Sequence, residues 1–356
     1  MIYYLIATFF PILCWGIYCY MDSVGQSELL AKKRKGYLVV LAVLPMILLF
    51  ALRGRFVGPD TPGYIKFFQT EIKQYTWAQL FQQDTNRQEI GFRLYVKIIS
   101  LFTDNYTIFF AITAIIVFGV LTRFALKHTG NPFVFIFLFN ALGSYSFYMT
   151  GLRQTLAMTV CLLGVDFIKD KKLLPFLISV IVGYFFHKSA ILFVVAYPFA
   201  QLKFNKTTIV IYILLTALLF VSFTSLQQFV NELLGYEYGI EATGNGEIFF
   251  VLVTLLFTYC LILNDDVEKM LPKKNHQMLL NLSYVTVVLW GLRLISRTAE
   301  RPSFYFMPLL YALITWAFCS KKKDNRIYVF IIIYVCGALF VSRSLGLNYS
   351  FFWQGA

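Results

Sequence analysis

Long runs of apolar residues, separated by short charged clusters, follow one another along nearly the whole chain. Most approach the length of about 20 residues that a helix needs to cross a bilayer. The pattern predicts about a dozen spanning helices: 2–20, 37–52, 106–124, 132–149, 152–168, 173–186, 189–202, 208–224, 248–264, 279–295, 303–319 and 327–342. Two of these, 173–186 and 189–202, are short, and the alternative is that they form a re-entrant pair that turns at His187.

Two longer polar segments interrupt this pattern, at residues 53–105 and 225–247. Loops of that length in compact proteins are usually functional, and we expect both to lie outside the cytoplasm. Within the first segment, residues 75–81 predict an amphipathic helix at the membrane interface, and residues 89–102 a second amphipathic stretch.

Composition supports a membrane protein, because 59% of residues are hydrophobic, 19% aromatic and only 14% charged. A soluble fold of this length would need more charged surface. We therefore predict an all-α fold, a single transmembrane domain over residues 1–356. The six cysteines show no metal-ligand spacing, and the sequence suggests neither a metal nor a cofactor.

The formal net charge of +13 is divided unevenly between alternate loops. One set carries 18 of the 31 basic residues, and 15 of these are lysines. By the positive-inside rule this set is cytoplasmic, which places both termini outside. The charge therefore reflects topology and attraction to anionic lipid rather than nucleic-acid binding.

The opposite face carries nine arginines among its 13 basic residues. Arginine presents a planar fork of donors that suits phosphate, so we consider a lipid-linked phosphate or diphosphate as the ligand. Candidate catalytic residues are Asp60, Glu89, His187 and Glu300, and candidate substrate-binding residues are Arg53, Arg55, Tyr64, Arg93, Arg153, Gln154, Arg293, Arg297, Arg301 and Tyr305.

Simpler explanations stay open for several of these residues. Asp60 is followed by Thr61-Pro62, so it could merely cap a helix. Glu89 could form a weak surface pair with a neighbouring arginine, and Arg153 could extend to the lipid headgroups. Arg293, Arg297 and Arg301 would share one helical face if the helix continues through them.

Five short motifs, in this order, resemble the EpsG-like branch of the Wzy-type polysaccharide polymerases. They are Arg53 to Gly58-x-Asp60-x-x-x-Tyr64, Glu89-x-Gly91-Phe92, Arg153-Gln154, His187-x-Ser189-Ala190, and Arg301 before Tyr305-Phe306. The resemblance implies a multi-pass enzyme of the bacterial plasma membrane with a fold related to GT-C glycosyltransferases. Such an enzyme joins polyprenyl-diphosphate-linked oligosaccharide repeat units at the outer leaflet, with a chain-length regulator protein as a candidate partner.

Other functions would use a similar cationic face. A flippase for lipid-linked oligosaccharide should show an internal repeat and charges in both leaflets, and no repeat is evident. An O-antigen ligase usually has its large outer loop late in the chain, whereas here the longest loop comes early. A membrane acyltransferase would need a catalytic histidine, for which His187 is a candidate.

Overall fold

The computed structural model describes residues 1–23, 28–82, 88–234, 246–345 and 347–354, and apart from one isolated bridge the regular elements of this part of the chain are helices. The α-helices are α1 (Ile2–Ser23), α2 (Glu28–Ala51), α3 (Thr61–Lys66), α4 (Ile72–Gln74), α5 (Ile90–Ser100), α6 (Tyr106–His128), α7 (Pro132–Ala141), α8 (Ser144–Thr150), α9 (Leu152–Lys169), α10 (Leu173–Phe186), α11 (Ala196–Gln201), α12 (Lys206–Leu234), α13 (Glu247–Ile262), α14 (Asn264–Met270), α15 (Lys273–Leu292), α16 (Glu300–Phe318) and α17 (Asn325–Ser344). One π-helical turn (Phe67–Glu71) and three 3₁₀ segments (Gln79–Phe81, Lys188–Val195 and Arg297–Ala299) complete the secondary structure.

Five helices of the described chain are long and apolar enough to cross a bilayer alone: Ile2–Ser23, Leu29–Ala51, Tyr106–His128, Lys206–Leu233 and Asn325–Ser344. Two bent pairs, α7 with α8 and α13 with α14, meet the same criterion when each pair counts as one span. The chain is therefore an all-helical, multi-pass membrane protein, and the count of about twelve spans stays a prediction.

The predicted span 132–149 consists of two helices that meet at an angle of 65°. Asn131 begins α7 by accepting hydrogen bonds from the amides of Phe133 and Val134. The helix then ends at Leu142, and Gly143 adopts a left-handed conformation with φ of +85°. Such a backbone is easily reached by glycine, which is why the chain can change direction here within the apolar run.

Helix α16 forms the centre of the bundle, with every residue from Ser303 to Thr315 buried. Tyr311 packs against the rings of Phe135 and Phe139 from α7, and its hydroxyl is hydrogen bonded to Ser144 at 2.8 Å. Because this helix contacts protein on all sides, its sequence tolerates polar groups that lipid-facing helices exclude.

The ends of α6 and α9 are joined by an ionic cluster. The Asp166 carboxylate binds Arg123, Lys127 and His128, the last two at 2.8 Å. The His128 carbonyl also accepts a hydrogen bond from the Trp316 indole at 2.9 Å. Arg123 and Lys127 belong to the lysine-rich set of basic residues, so these contacts place two members of that set at one end of the bundle.

The opposite end is closed by residues 347–354. Phe351 forms an antiparallel bridge with Arg53, and the Phe352 amide donates to the Leu52 carbonyl at 3.0 Å. The Met1 nitrogen donates to the Leu347 carbonyl at 3.0 Å. Residues near both extremes of the chain therefore meet just beyond the end of α2.

The described residues of the polar segment 53–105 form several short helices at this same end. The predicted amphipathic helix at 75–81 is wrong, because only Gln79–Phe81 forms a 3₁₀ turn, and Leu80 within it is fully buried. The amphipathic stretch at 89–102 forms α5, which packs against α10. The other predicted loop, 225–247, begins as a helix, since α12 continues to Leu234; residues 235–245 lie outside the described residues.

Gly91 permits the close approach of α5 to α10. A β-carbon at this position would lie 2.7 Å from the carbonyl oxygen of Phe185 and 2.8 Å from its carbonyl carbon. Backbone atoms cannot rotate away as a side chain can, so the two helices would have to separate.

We predict that Gly91→Ala lowers the melting temperature of the purified protein in detergent, because overpacking of this kind typically costs about 1–3 kcal/mol. Gly63→Ala is the matched control, since a β-carbon on Gly63 would meet nothing within 4 Å. A melting temperature of Gly91→Ala equal to that of Gly63→Ala would contradict the prediction.

Candidate functional site: a polar cavity at the arginine-rich end

The chain turns back on itself at His187. Helix α10 ends there, His187 adopts an extended conformation, and the 3₁₀ segment Lys188–Val195 follows. The ring of Phe176, early in α10, contacts those of Phe193 and Tyr197, which come after the turn. The two arms are therefore antiparallel, and His187 lies at the tip between them, 6% exposed.

Hydrogen bonds fix the orientation and tautomer of the His187 ring. The Ser189 amide donates to Nδ1 at 3.2 Å, and the Ser189 hydroxyl lies 2.7 Å from the same atom. Since an amide can only donate, Nδ1 must be an acceptor, and the neutral ring carries its proton on Nε2. The Tyr305 hydroxyl lies 3.0 Å from that of Ser189 and extends the chain of hydrogen bonds.

The His187 ring is neutral at physiological pH. Burial, reinforced by the positive charges of Arg153, Arg301 and Lys188, lowers its pKa to about 3. An imidazole in this state is a hydrogen-bond donor through Nε2 rather than a cation.

An ion pair holds the outer segment against the bundle. Arg153, in the first turn of α9, donates to the Glu89 carboxylate at 2.7 Å, and the Glu89 side chain is 8% exposed. The Lys188 amide lies 3.5 Å from the other oxygen of that carboxylate. Arg153 also interacts with Tyr64, whose pKa is raised by burial and held down in part by this guanidinium. Glu89 thus forms a largely buried pair rather than the surface pair considered from the sequence.

Asp60 occupies the N-cap position of α3, but its side chain makes no capping hydrogen bond. It follows the tight turn at Gly58, whose φ is +86°, and Pro59. Its side chain is exposed and lines a cavity described below. The carboxylate is therefore available to a ligand. No capping hydrogen bond supports the interpretation of Asp60 as a simple helix cap.

These elements surround a polar cavity of about 520 Å³. Three arginines line it: Arg153 from α9, Arg297 from the 3₁₀ segment 297–299, and Arg301 from the first turn of α16. The Gln154 amide donates to the Arg301 carbonyl at 2.9 Å and ties α16 to α9. The full lining consists of Pro59, Asp60, Tyr64, Phe147, Thr150, Gly151, Arg153, Gln154, His187, Arg297, Thr298, Glu300 and Arg301.

A sequence model of the EpsG family matches residues 36–354, nearly the whole chain and all of the elements that line this cavity. The chain belongs to the EpsG family. EpsG-like proteins are members of the Wzy-type polymerases, a membrane-associated group with glycosyltransferase-like polymerase activity. No curated protein and no solved structure among those compared matches the chain.

Of the residues that the sequence nominates in this EpsG-family protein, eight line the cavity together: Asp60, Tyr64, Arg153, Gln154, His187, Arg297, Glu300 and Arg301. Glu89 and Tyr305 do not line it but support residues that do, through Arg153 and through Ser189. Arg293 donates to the Glu300 carboxylate at 3.1 Å and so supports the cavity in the same way.

Three nominated arginines lie elsewhere. Arg53 is fully buried between the rings of Phe50 and Phe110, and it donates to the Met149 carbonyl at 2.6 Å. Burial lowers its pKa to about 10, which leaves it charged at neutral pH. Arg93 is buried and donates to the carbonyl of Gln82 at 2.8 Å. Arg55 is exposed and does not line the cavity.

The expectation that Arg293, Arg297 and Arg301 share one helical face is wrong. Helix α15 ends at Leu292, Ser296 is extended, and α16 begins at Glu300. The break turns Arg293 towards Glu300 and leaves Arg297 and Arg301 at the cavity.

Five lining residues were not nominated from the sequence: Pro59, Phe147, Thr150, Gly151 and Thr298. Thr298 lies inside the arginine motif, so its position next to Arg297 could have indicated it. Phe147 stacks on Phe304 at 4.1 Å between ring centroids, and nothing in the local sequence distinguishes it from the other aromatic residues of its apolar run.

We predict that the His187 imidazole stays neutral, with its proton on Nε2, from pH 5 to pH 8. Its pKa is lowered, so protonation occurs only in strong acid, below this range. Nitrogen NMR of histidine-labelled protein would report this, with His187→Asn identifying the resonance. Titration near pH 6.5, or a proton on Nδ1, would contradict the assignment.

Proposed function

We propose that this EpsG-family protein joins polyprenyl-diphosphate-linked oligosaccharide repeat units at the outer leaflet of the bacterial plasma membrane. A sugar hydroxyl of one repeat unit attacks the anomeric carbon of the growing chain. The bond from that carbon to the diphosphate oxygen breaks, and polyprenyl diphosphate leaves with the electron pair. The product is an exopolysaccharide, capsule or O-antigen chain longer by one repeat.

The observation that carries the proposal is the cavity lining, which combines three guanidinium groups, a neutral imidazole donor and an exposed carboxylate. A diphosphate carries several negative charges, and arginine forks bind such oxygens with two hydrogen bonds each. Preorganised donors of this kind stabilise charge that develops on a leaving group.

Each group then has a distinct role. Asp60 accepts the proton of the attacking hydroxyl, because its carboxylate reaches the cavity and is not used for capping. Arg297 and Arg301 bind the leaving diphosphate. Arg153, whose charge is shared with Glu89, orients it, and His187 donates a hydrogen bond through Nε2.

The proposal also includes the number of membrane crossings and the orientation of the protein in the membrane. Around twelve crossings in a GT-C-like arrangement, with both termini outside, would put the arginine-rich end and its cavity at the outer leaflet. The positive-inside rule supports this orientation, since the opposite end carries the lysine-rich set.

We predict that Arg301→Lys reduces polymer formation by at least tenfold, because lysine replaces a planar fork with a single point of charge. Polymer length and yield from a defined lipid-linked repeat unit would be measured in proteoliposomes. Arg55→Lys is the matched control, since Arg55 is at the same end of the protein but outside the cavity. Equal loss of polymer in both variants, or no loss in either, would contradict the proposed binding of the diphosphate by Arg301.

We predict that Asp60→Asn reduces the rate by about 10²–10⁴-fold, as expected for loss of a general base, and that substrate still binds. Asp104→Asn serves as the control, because Asp104 pairs with Lys73 at the same end of the protein. If Asp60→Asn keeps its rate and Glu300→Gln loses it, the base is Glu300 instead.

The same reconstituted system distinguishes the competing activities. A ladder of lipid-linked oligomers is the expected result. Movement of the substrate between leaflets without lengthening would indicate a flippase, and transfer of the glycan to a different acceptor would indicate a ligase.

A further inference from the structure

A second cavity adjoins the first and is almost entirely apolar. It measures about 350 Å³ and lies between α12 and α15. On α12 its lining includes Leu215, Leu219 and Leu226, which lie on one helical face, and Val288 and Leu292 line it from α15. We refer to this cavity as the apolar groove.

The apolar groove and the polar cavity are continuous. Gln154, His187, Thr298 and Arg301 line both. A ligand that lies in the groove therefore has its polar end at the arginines.

We infer that the apolar groove binds the polyprenyl chain of the lipid-linked donor, with the diphosphate at the shared residues. This inference rests on the proposed function and extends it to the lipid part of the substrate. The occupant must be an apolar chain that ends in an anionic group, because the groove is apolar along its length and cationic at its mouth.

The length of the groove favours a polyprenyl chain over an ordinary acyl chain. Its lining on α12 extends from Tyr212 to Asn231, a distance of roughly 28 Å at the rise of an α-helix. One leaflet contributes about half of a hydrocarbon core of roughly 30 Å. The groove is therefore longer than the hydrocarbon thickness of a single leaflet, which suits a chain longer than that of an ordinary phospholipid.

The position of α12 gives the chain a route from the bilayer. Only 6% of its most apolar window is buried within the protein, so this helix lies at the periphery. It is attached at its base, where Tyr212 stacks on Tyr284 with 4.8 Å between ring centroids and donates to Asn281 at 2.8 Å. A lipid can thus enter sideways without crossing the core of the bundle.

Gln227 gives an independent indication of a ligand. Its side chain is 7% exposed, it lines the groove near the outer end of α12, and neither amide atom has a hydrogen-bond partner among the described residues. A buried amide without a partner is costly. An oxygen-bearing ligand in the groove would supply this missing hydrogen-bond partner.

The first test fills the groove. Leu219→Trp and Val288→Trp should each weaken binding of purified protein to undecaprenyl diphosphate in nanodiscs by at least tenfold. Leu218→Trp is the matched control, because Leu218 is the neighbouring residue on α12 and is 64% exposed. Unchanged affinity in both groove variants would overturn the inference.

The second test needs no substitution. A polyprenyl diphosphate with a photoreactive group midway along its chain should label peptides containing 215–226 and 285–292 in the unmodified protein. Excess unlabelled undecaprenyl diphosphate should prevent this labelling, whereas excess phosphatidylglycerol should not. Equal competition by phosphatidylglycerol would identify the groove as an ordinary phospholipid site, and labelling spread over all lipid-facing helices would also reject the inference.

These measurements separate the groove from the reaction. Labelling of the groove by a protein that forms no polymer would reject the proposed function and keep the lipid site. Polymer formation by Leu219→Trp and Val288→Trp at the normal rate would reject the lipid site and keep the proposed function.

Discussion

The ion pair between Arg153 and Glu89 joins three parts of the chain that are far apart in sequence. Glu89 begins α5, Arg153 begins α9, and the Glu89 carboxylate also faces the amide of Lys188 next to the His187 turn. Breaking a fully buried pair typically costs about 3–5 kcal/mol, because one charge is left uncompensated. The Arg153 side chain is 28% exposed, so the cost here is smaller. The pair therefore holds α5, α9 and the His187 turn together beside the cavity.

Around this pair, charge and apolar surface are divided between two connected spaces. The polar cavity collects guanidinium groups near one end of the bundle, where water and lipid headgroups lower the cost of charge. The apolar groove beneath it contains few polar atoms. An amphiphile with a compact anionic group and a long hydrocarbon chain matches both spaces at once, which neither a free sugar nor a nucleotide does.

The sequence predicts much of this arrangement because its motifs lie where helices end. Asp60, Arg153, His187 and Arg301 each lie at a helix end or one residue inside it, where polar residues interrupt the apolar runs and are visible in the sequence. Arg53 could not be placed in this way. Its burial depends on Phe110, which comes from a later helix, and on the strand-like pairing with Phe351.

Breaks in helices were equally hard to predict. Residues 132–149 form an apolar run interrupted only by Asn140, Gly143-Ser144 and Ser146, yet α7 and α8 meet at a sharp angle. The groove also escaped prediction, because the apolar residues that line it have the same composition as those that face lipid. Gln227 and Asn231 lie four residues apart on α12, and these two polar residues were the sequence feature that could have indicated the groove.

The hydrogen bond between Met1 and Leu347 constrains how often the chain crosses the membrane. Two residues in contact lie on the same side of a bilayer, so the chain between them must cross an even number of times. The five long apolar helices alone make an odd number, and counting both bent pairs as spans gives seven, which is also odd. An even number results if one bent pair crosses and the other re-enters, or if a shorter or less apolar helix such as α9, α10, α15 or α16 makes a further crossing. Parity therefore excludes a topology in which only the five long helices, or only these with both bent pairs, cross the bilayer.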